Sequence, residues 1–138
     1  MSRRITGLWL VLAALSGGVA VATGAYASHG LADPRAVELF RIAGQYQMWH
    51  ALGLGGVAAL ARFGAGGGGG GEGWLLAIAG WCFVAGTVLF CGALYLLAIQ
   101  GPSPLGAVAP IGGIAFMVGW LALAGVGVRW MAAPARNA

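Results

Sequence analysis

His50 is the residue in this sequence best placed to do chemistry. It lies in a long apolar run, about 12 Å beyond Ile42 at 1.5 Å per residue. Tyr46 and Gln47 precede it by four and three positions and so share its side of a helix. Polar and ionisable groups at membrane depth need partners and often mark a functional site. Met48, two positions away, points nearly the opposite way and makes a poor ligand pair with His50 on one helix.

His29 closes an earlier apolar run, between Ser28 and Gly30. If it approached His50 and Tyr46, the three would suit a metal, haem or quinone head group. The competing reading is a set of interhelical hydrogen bonds, with Tyr26 and His29 capping the first helix, that fixes how helices pack. This second reading ranks first, because two histidines rarely make a tight metal site. No metal or cofactor is therefore assigned.

The remaining chemistry is sparse. Asp33, Glu38 and Glu72 all fall in connections between apolar runs, which weakens proton-coupled transport. No serine-histidine-acid set, carboxylate pair or activated cysteine is convincing, so no catalytic residue is assigned and an enzyme is the weakest class. Cys82 and Cys91 lie nine residues apart, about 13 Å along one helix, and cannot bond to each other there. They lack metal-site spacing and read as small apolar residues.

The elements that must carry these residues follow from composition. Only 7% of the 138 residues are charged, against roughly 25% in a soluble domain. So few charges cannot clothe a water-facing surface, whereas a bilayer needs none. The net charge of +4 rests on scattered arginines with no basic stripe, which excludes nucleic acid as a partner.

The expected fold is an all-α membrane protein, a single domain over 1–138 forming a four-transmembrane-helix bundle. Spans are expected near 5–27, 42–62, 74–99 and 105–130, each near the length needed to cross about 30 Å of hydrocarbon. The first run follows Arg3 and Arg4 and ends in a small-x-small pattern at Ala25 to Ala27, but its length favours a retained helix over a signal peptide.

Asp33-Pro34 is a helix start, and the amphipathic stretch after it predicts a short interfacial helix over 34–42 that runs into the second span. Residues 64–73 form a glycine-rich linker; the Lys-Ser or Lys-Thr of a phosphate loop is missing. Trp74 and Trp81 near the start of the third span, and Tyr95 near its end, read as interfacial rings. Pro110 either opens the fourth helix or kinks it.

With four spans, five arginines fall on one side and Arg35 and Arg41 on the other, which favours both termini in the cytoplasm. Lipid gives no hydrophobic drive to helix association, so small residues must supply packing faces. Gly17 and Gly24 in the first helix, Gly86 and Gly92 in the third, and Gly112 and Gly119 in the fourth are the candidates. Gly18, Gly24 and Ala25 also match Gly86, Gly92 and Ala93 in spacing, an echo best assigned to chance among 27 glycines.

Four local words are more specific: Gly24-Ala25-Tyr26-Ala27-Ser28-His29-Gly30-Leu31, Tyr46-Gln47-Met48-Trp49-His50-Ala51-Leu52, Phe90-Cys91-Gly92-Ala93-Leu94-Tyr95, and Pro110-Ile111-Gly112-Gly113 with Gly119-Trp120. In order and spacing the chain resembles the domain of unknown function 423 family, which includes the eukaryotic transmembrane protein 256. It departs from that family's usual Gly-Ala-Phe-Gly-Ala-His-Gly at Tyr26, Ala27 and Ser28, and matches at His29 and Gly30. The resemblance implies a small multi-pass protein of the bacterial inner (plasma) membrane, with relatives in eukaryotic membranes and no established activity. By matching position it makes His29, Tyr46, Gln47, His50 and Tyr95 the residues to test.

The leading functional expectation is a non-enzymatic helical bundle in the lipid bilayer, acting by association as a homo-oligomer or as an accessory subunit of a larger membrane complex. The alternatives are a metal- or cofactor-binding module using His29 and His50, and a small-solute transporter or channel.

Overall fold

The computed structural model describes residues 2–63 and 72–132. The expected linker over 64–73 falls almost wholly outside them. Helix α1 runs Arg3–His29, with the Ser2 hydroxyl accepting the Ile5 amide at its start and the Gly30 amide donating to the Tyr26 carbonyl at its end. Helix α2 runs Pro34–Phe63. Asp33 caps it by accepting the Ala36 amide at 2.9 Å, and the stretch expected as a short interfacial helix over 34–42 continues into the rest of α2 without a break.

The next rod is α3 (Gly73–Gly86), a π-helical turn (Thr87–Cys91) and α4 (Gly92–Gln100). Gly101, at φ 79°, makes the corner in a backbone region that favours glycine. A 3-10 turn (Pro104–Ala107) leads to α5 (Ala109–Ala132), so Pro110 sits in the first turn of that helix and opens it.

Arg3–His29, Gly73–Gln100 and Pro104–Ala132 are long and apolar enough to cross a membrane. The fourth expected span, on α2, is as long but falls short in apolarity. The reason lies in its sequence: Arg35, Glu38 and Arg41 occupy its first turns, and Gln45, Tyr46, Gln47 and His50 its middle. Helix α2 is also enclosed, packed against α1 on one side and against α3, the π turn and α4 on another. Its Gln47 and His50 are each only 5% exposed.

Glycines on one helix receive aromatic rings from the next. A Cβ at Gly119 would lie 2.6 Å from the Phe83 ring, one at Gly80 would lie 2.6 Å from the Trp9 indole, and one at Gly86 would strike Phe116. At Gly112 the obstacle is the backbone of Phe90, in the π turn. Phe83, Gly86 and Phe90 thus meet Gly119, Phe116 and Gly112 in one antiparallel register between the third rod and α5. Aromatic knobs in glycine holes supply the close packing that lipid does not drive.

Gly17, Gly24 and Gly92 correct the packing expectation, since a Cβ there would meet nothing within 4 Å among the described residues. Their small size brings no other described helix close. The spacing echo between the first and third helices therefore joins glycines with different surroundings. Tyr95 is also corrected: it is half-buried and turned into the bundle by hydrogen bonds, while Trp74 and Trp81 are exposed.

Candidate functional site

Helix α2 projects Gln47 toward α1 and α4. Its Nε2 donates to the Ser16 carbonyl at 3.1 Å, and its Oε1 accepts the Tyr95 hydroxyl at 2.8 Å. The carbonyl at Ser16 can only accept, so this contact fixes which way the amide faces. The Tyr95 oxygen also lies 2.9 Å from Thr23 Oγ1, which is 3.1 Å from the Ala20 carbonyl. Tyr95 has a single proton, and giving it to Gln47 leaves the Thr23 proton shared between Tyr95 and Ala20. Three helices, α1, α2 and α4, are tied at one point.

Tyr95→Phe removes the donor to Gln47 while keeping the ring that packs 4.9 Å from Phe40. A loss of about 1 kcal/mol is expected, within the range for hydrogen bonds between membrane helices. Unfolding in mixed micelles checks it. Unchanged stability would mean that the Gln47 carbonyl finds another donor.

One turn along α2, His50 uses both ring nitrogens. Nδ1 lies 2.6 Å from the Tyr46 carbonyl, and Nε2 lies 3.1 Å from Trp120 Nε1. An indole N–H only donates, so Nε2 accepts and the proton sits on Nδ1, directed at the carbonyl. The neutral imidazole stacks on Phe116 with centroids 3.4 Å apart and planes 11° apart. Phe83 stands at its edge, 5.5 Å away, and the Tyr46 ring lies 4.8 Å from Phe90. Trp120 is itself 47% exposed and shields His50 from the surroundings of the bundle.

His29 does not join this site. It is exposed at the end of α1, while His50 shares a groove with Ser16, thirteen residues earlier on that helix. That separation is about 20 Å along the axis. The alternative in which His29 converges with His50 and Tyr46 is thus overturned by the antiparallel register of α1 and α2. Among the described residues no three histidine, cysteine or acidic side chains cluster to hold a metal ion. A ligand for His50 would first have to displace Trp120 or the Tyr46 carbonyl.

The sequence reading brought out Tyr46, Gln47, His50 and Tyr95, which the structure sorts into two adjoining networks. It missed Thr23 and Ser16, which look like ordinary helix residues, and Phe83, Phe116 and Trp120. Trp120 stands one turn after Phe116 on α5, so the pair faces His50 together. The i, i+4 aromatic spacing was the available signal.

Residues 23–113 match the family model described as "Protein of unknown function (DUF423)". The chain is similar to the UPF0382 membrane protein YwdK of Bacillus subtilis, at 36% identity over 127 residues, covering 90% of this chain and 98% of the relative. It is similar to a UPF0382 membrane protein of Staphylococcus epidermidis at 38% identity, covering 84% and 91%. A Haemophilus influenzae UPF0382 membrane protein is 35% identical, with 84% and 90% covered. No solved structure matches.

Proposed function

The chain belongs to the DUF423 family of UPF0382 membrane proteins, and we propose that it is a non-enzymatic, four-span helical bundle acting by association, as a homo-oligomer or an accessory subunit of a larger membrane complex. Ala14, Gly18 and Ala22 carry this reading. They recur every four residues along α1 and are all exposed, while Trp9, Ala13, Ala20 and Ala27 of the same helix are buried. A Cβ on Gly18 would meet nothing within 4 Å. In lipid, such a small-xxx-small stripe lets a second helix approach closely.

The enclosed polar groups support the same reading, because Gln47 bonds to α1 and α4 and His50 bonds to Trp120 of α5 and to the Tyr46 carbonyl of its own helix, within the bundle. The enclosure of α2 by α1, α3 and α4 supports its role as the fourth span, since its polar middle is kept from lipid. The bacterial membrane-protein relatives support an inner membrane location, and the arginine imbalance supports cytoplasmic termini.

Mass measurement after gentle solubilisation is the test. The wild-type protein should run as an oligomer or with a stoichiometric partner, and Gly18→Leu should release a monomer of unchanged melting temperature. A wild-type protein that is monomeric and partner-free would refute the association reading.

A further inference from the structure

The α1–α2 pair opens a groove of about 380 Å³ at the end where α1 begins and α2 finishes. Arg3 and Arg62 stand at its mouth, and Gly7, Leu10, Gly55 and Ala59 are among the residues of its apolar shaft. The two arginines come from different helices and both line the groove because α1 and α2 run antiparallel. We propose that this groove binds one anionic phospholipid, with its phosphate between Arg3 and Arg62 and an acyl chain along Gly7 and Gly55.

Three observations carry the proposal. The charges at the mouth lie far from two of the chain's acids: Asp33 and Glu38 stand at the opposite end of α2, about 35 Å or more from Arg62 along its axis. The third acid, Glu72, accepts the Trp130 indole at 2.6 Å. Arg3 also occupies the first turn of α1, where no acidic residue is present. A helix N-terminus already carries positive potential, so a cation there is unfavourable unless an anion joins it. Finally, among the described residues Gly7 has nothing within 4 Å of an added Cβ, and Gly55 only Ala13 at 4.0 Å, so they leave the shaft open where a chain would lie.

A bilayer supplies the matching chemistry, an anionic head group above hydrocarbon. Basic pockets between membrane helices are suited to such lipids. A soluble phosphate would satisfy the arginines and leave the apolar shaft empty. The inference rests on membrane insertion and on the α1–α2 pairing, and it stands apart from the association reading.

Native mass spectrometry of the full chain tests it, with phosphatidylglycerol and phosphatidylcholine of identical acyl chains added in equal amounts. Wild-type protein should retain phosphatidylglycerol preferentially. Arg3→Gln with Arg62→Gln should weaken retention about tenfold, in line with roughly fivefold per arginine near an anionic surface reduced by screening. Arg4→Gln with Arg129→Gln removes as much charge away from the groove and should change retention less than about twofold. Gly7→Leu, which fills the shaft, should lower retention while leaving the melting temperature unchanged.

Equal retention of both lipids, or wild-type retention by the Arg3/Arg62 double variant, would overturn the proposal. Glycerol 3-phosphate binding as tightly as the lipid would overturn it too, by making the occupant a soluble phosphate. None of these results depends on whether the protein is monomeric.

Discussion

Gly112→Ala is expected to destabilise the protein by about 3 kcal/mol or to abolish its accumulation, at the upper end of costs for overpacking a filled core. A Cβ at this position would strike the Phe90 backbone nitrogen, with Phe90 Cβ at 2.8 Å and Cα at 2.9 Å. A flexible side chain could move aside, but this obstacle is main chain. It belongs to the π turn between α3 and α4, so relief requires that turn to shift or α5 to move away.

Gly113→Ala is the matched comparison. The nearest atom to its added Cβ is Phe90 Cδ2 at 3.9 Å, an ordinary contact. Alanine is favoured over glycine inside a helix by about 1 kcal/mol, so this variant should be neutral or slightly more stable. Opposite signs at adjacent positions separate the close helix approach from any general intolerance to alanine. Unfolding in mixed micelles reads both, and equal stabilities would refute the packing at Gly112.

That pair also shows which parts of the structure could be read from sequence. Apolar runs of spanning length, the Asp33-Pro34 start and the polar cluster on α2 were legible because each is a local pattern. Which glycines are close-packed was not. Gly24 and Gly86 look alike in sequence, yet one has no close neighbour and the other receives Phe116. Only the antiparallel register between helices decides this.

Gln47 and Tyr95 present the same difficulty across 48 residues. Each was visible as a polar residue in an apolar run, but their pairing was not. Tyr95 reads as an interfacial ring because hydropathy places it near a helix end, while the Thr23 and Gln47 side chains turn it inward. The π turn was hidden as well, since Thr87–Cys91 is an unremarkable apolar stretch by composition.

His50→Ala should cost about 3 kcal/mol, comparable to deleting a buried aromatic ring. The imidazole is 5% exposed and fills the space between Phe83 and Phe116, so its removal leaves a cavity as well as an unpaired Trp120 indole. Trp120→Phe should cost about 1 kcal/mol, the scale of one hydrogen bond. Because the two variants remove the same bond, the double variant should be less destabilised than their sum by about 1 kcal/mol. Additive losses would mean that the indole and imidazole are merely adjacent.

The same variants separate a structural histidine from a ligand. A metal needs a lone pair on an imidazole nitrogen, yet Nε2 receives Trp120 and Nδ1 faces the Tyr46 carbonyl. Added zinc should therefore leave the wild-type melting temperature unchanged. Trp120→Phe frees Nε2 without supplying further ligands, and zinc should not restore the stability it loses. Zinc stabilisation of the wild-type protein that disappears in His50→Ala would instead establish the imidazole as a ligand and displace the interhelical bond as its main role.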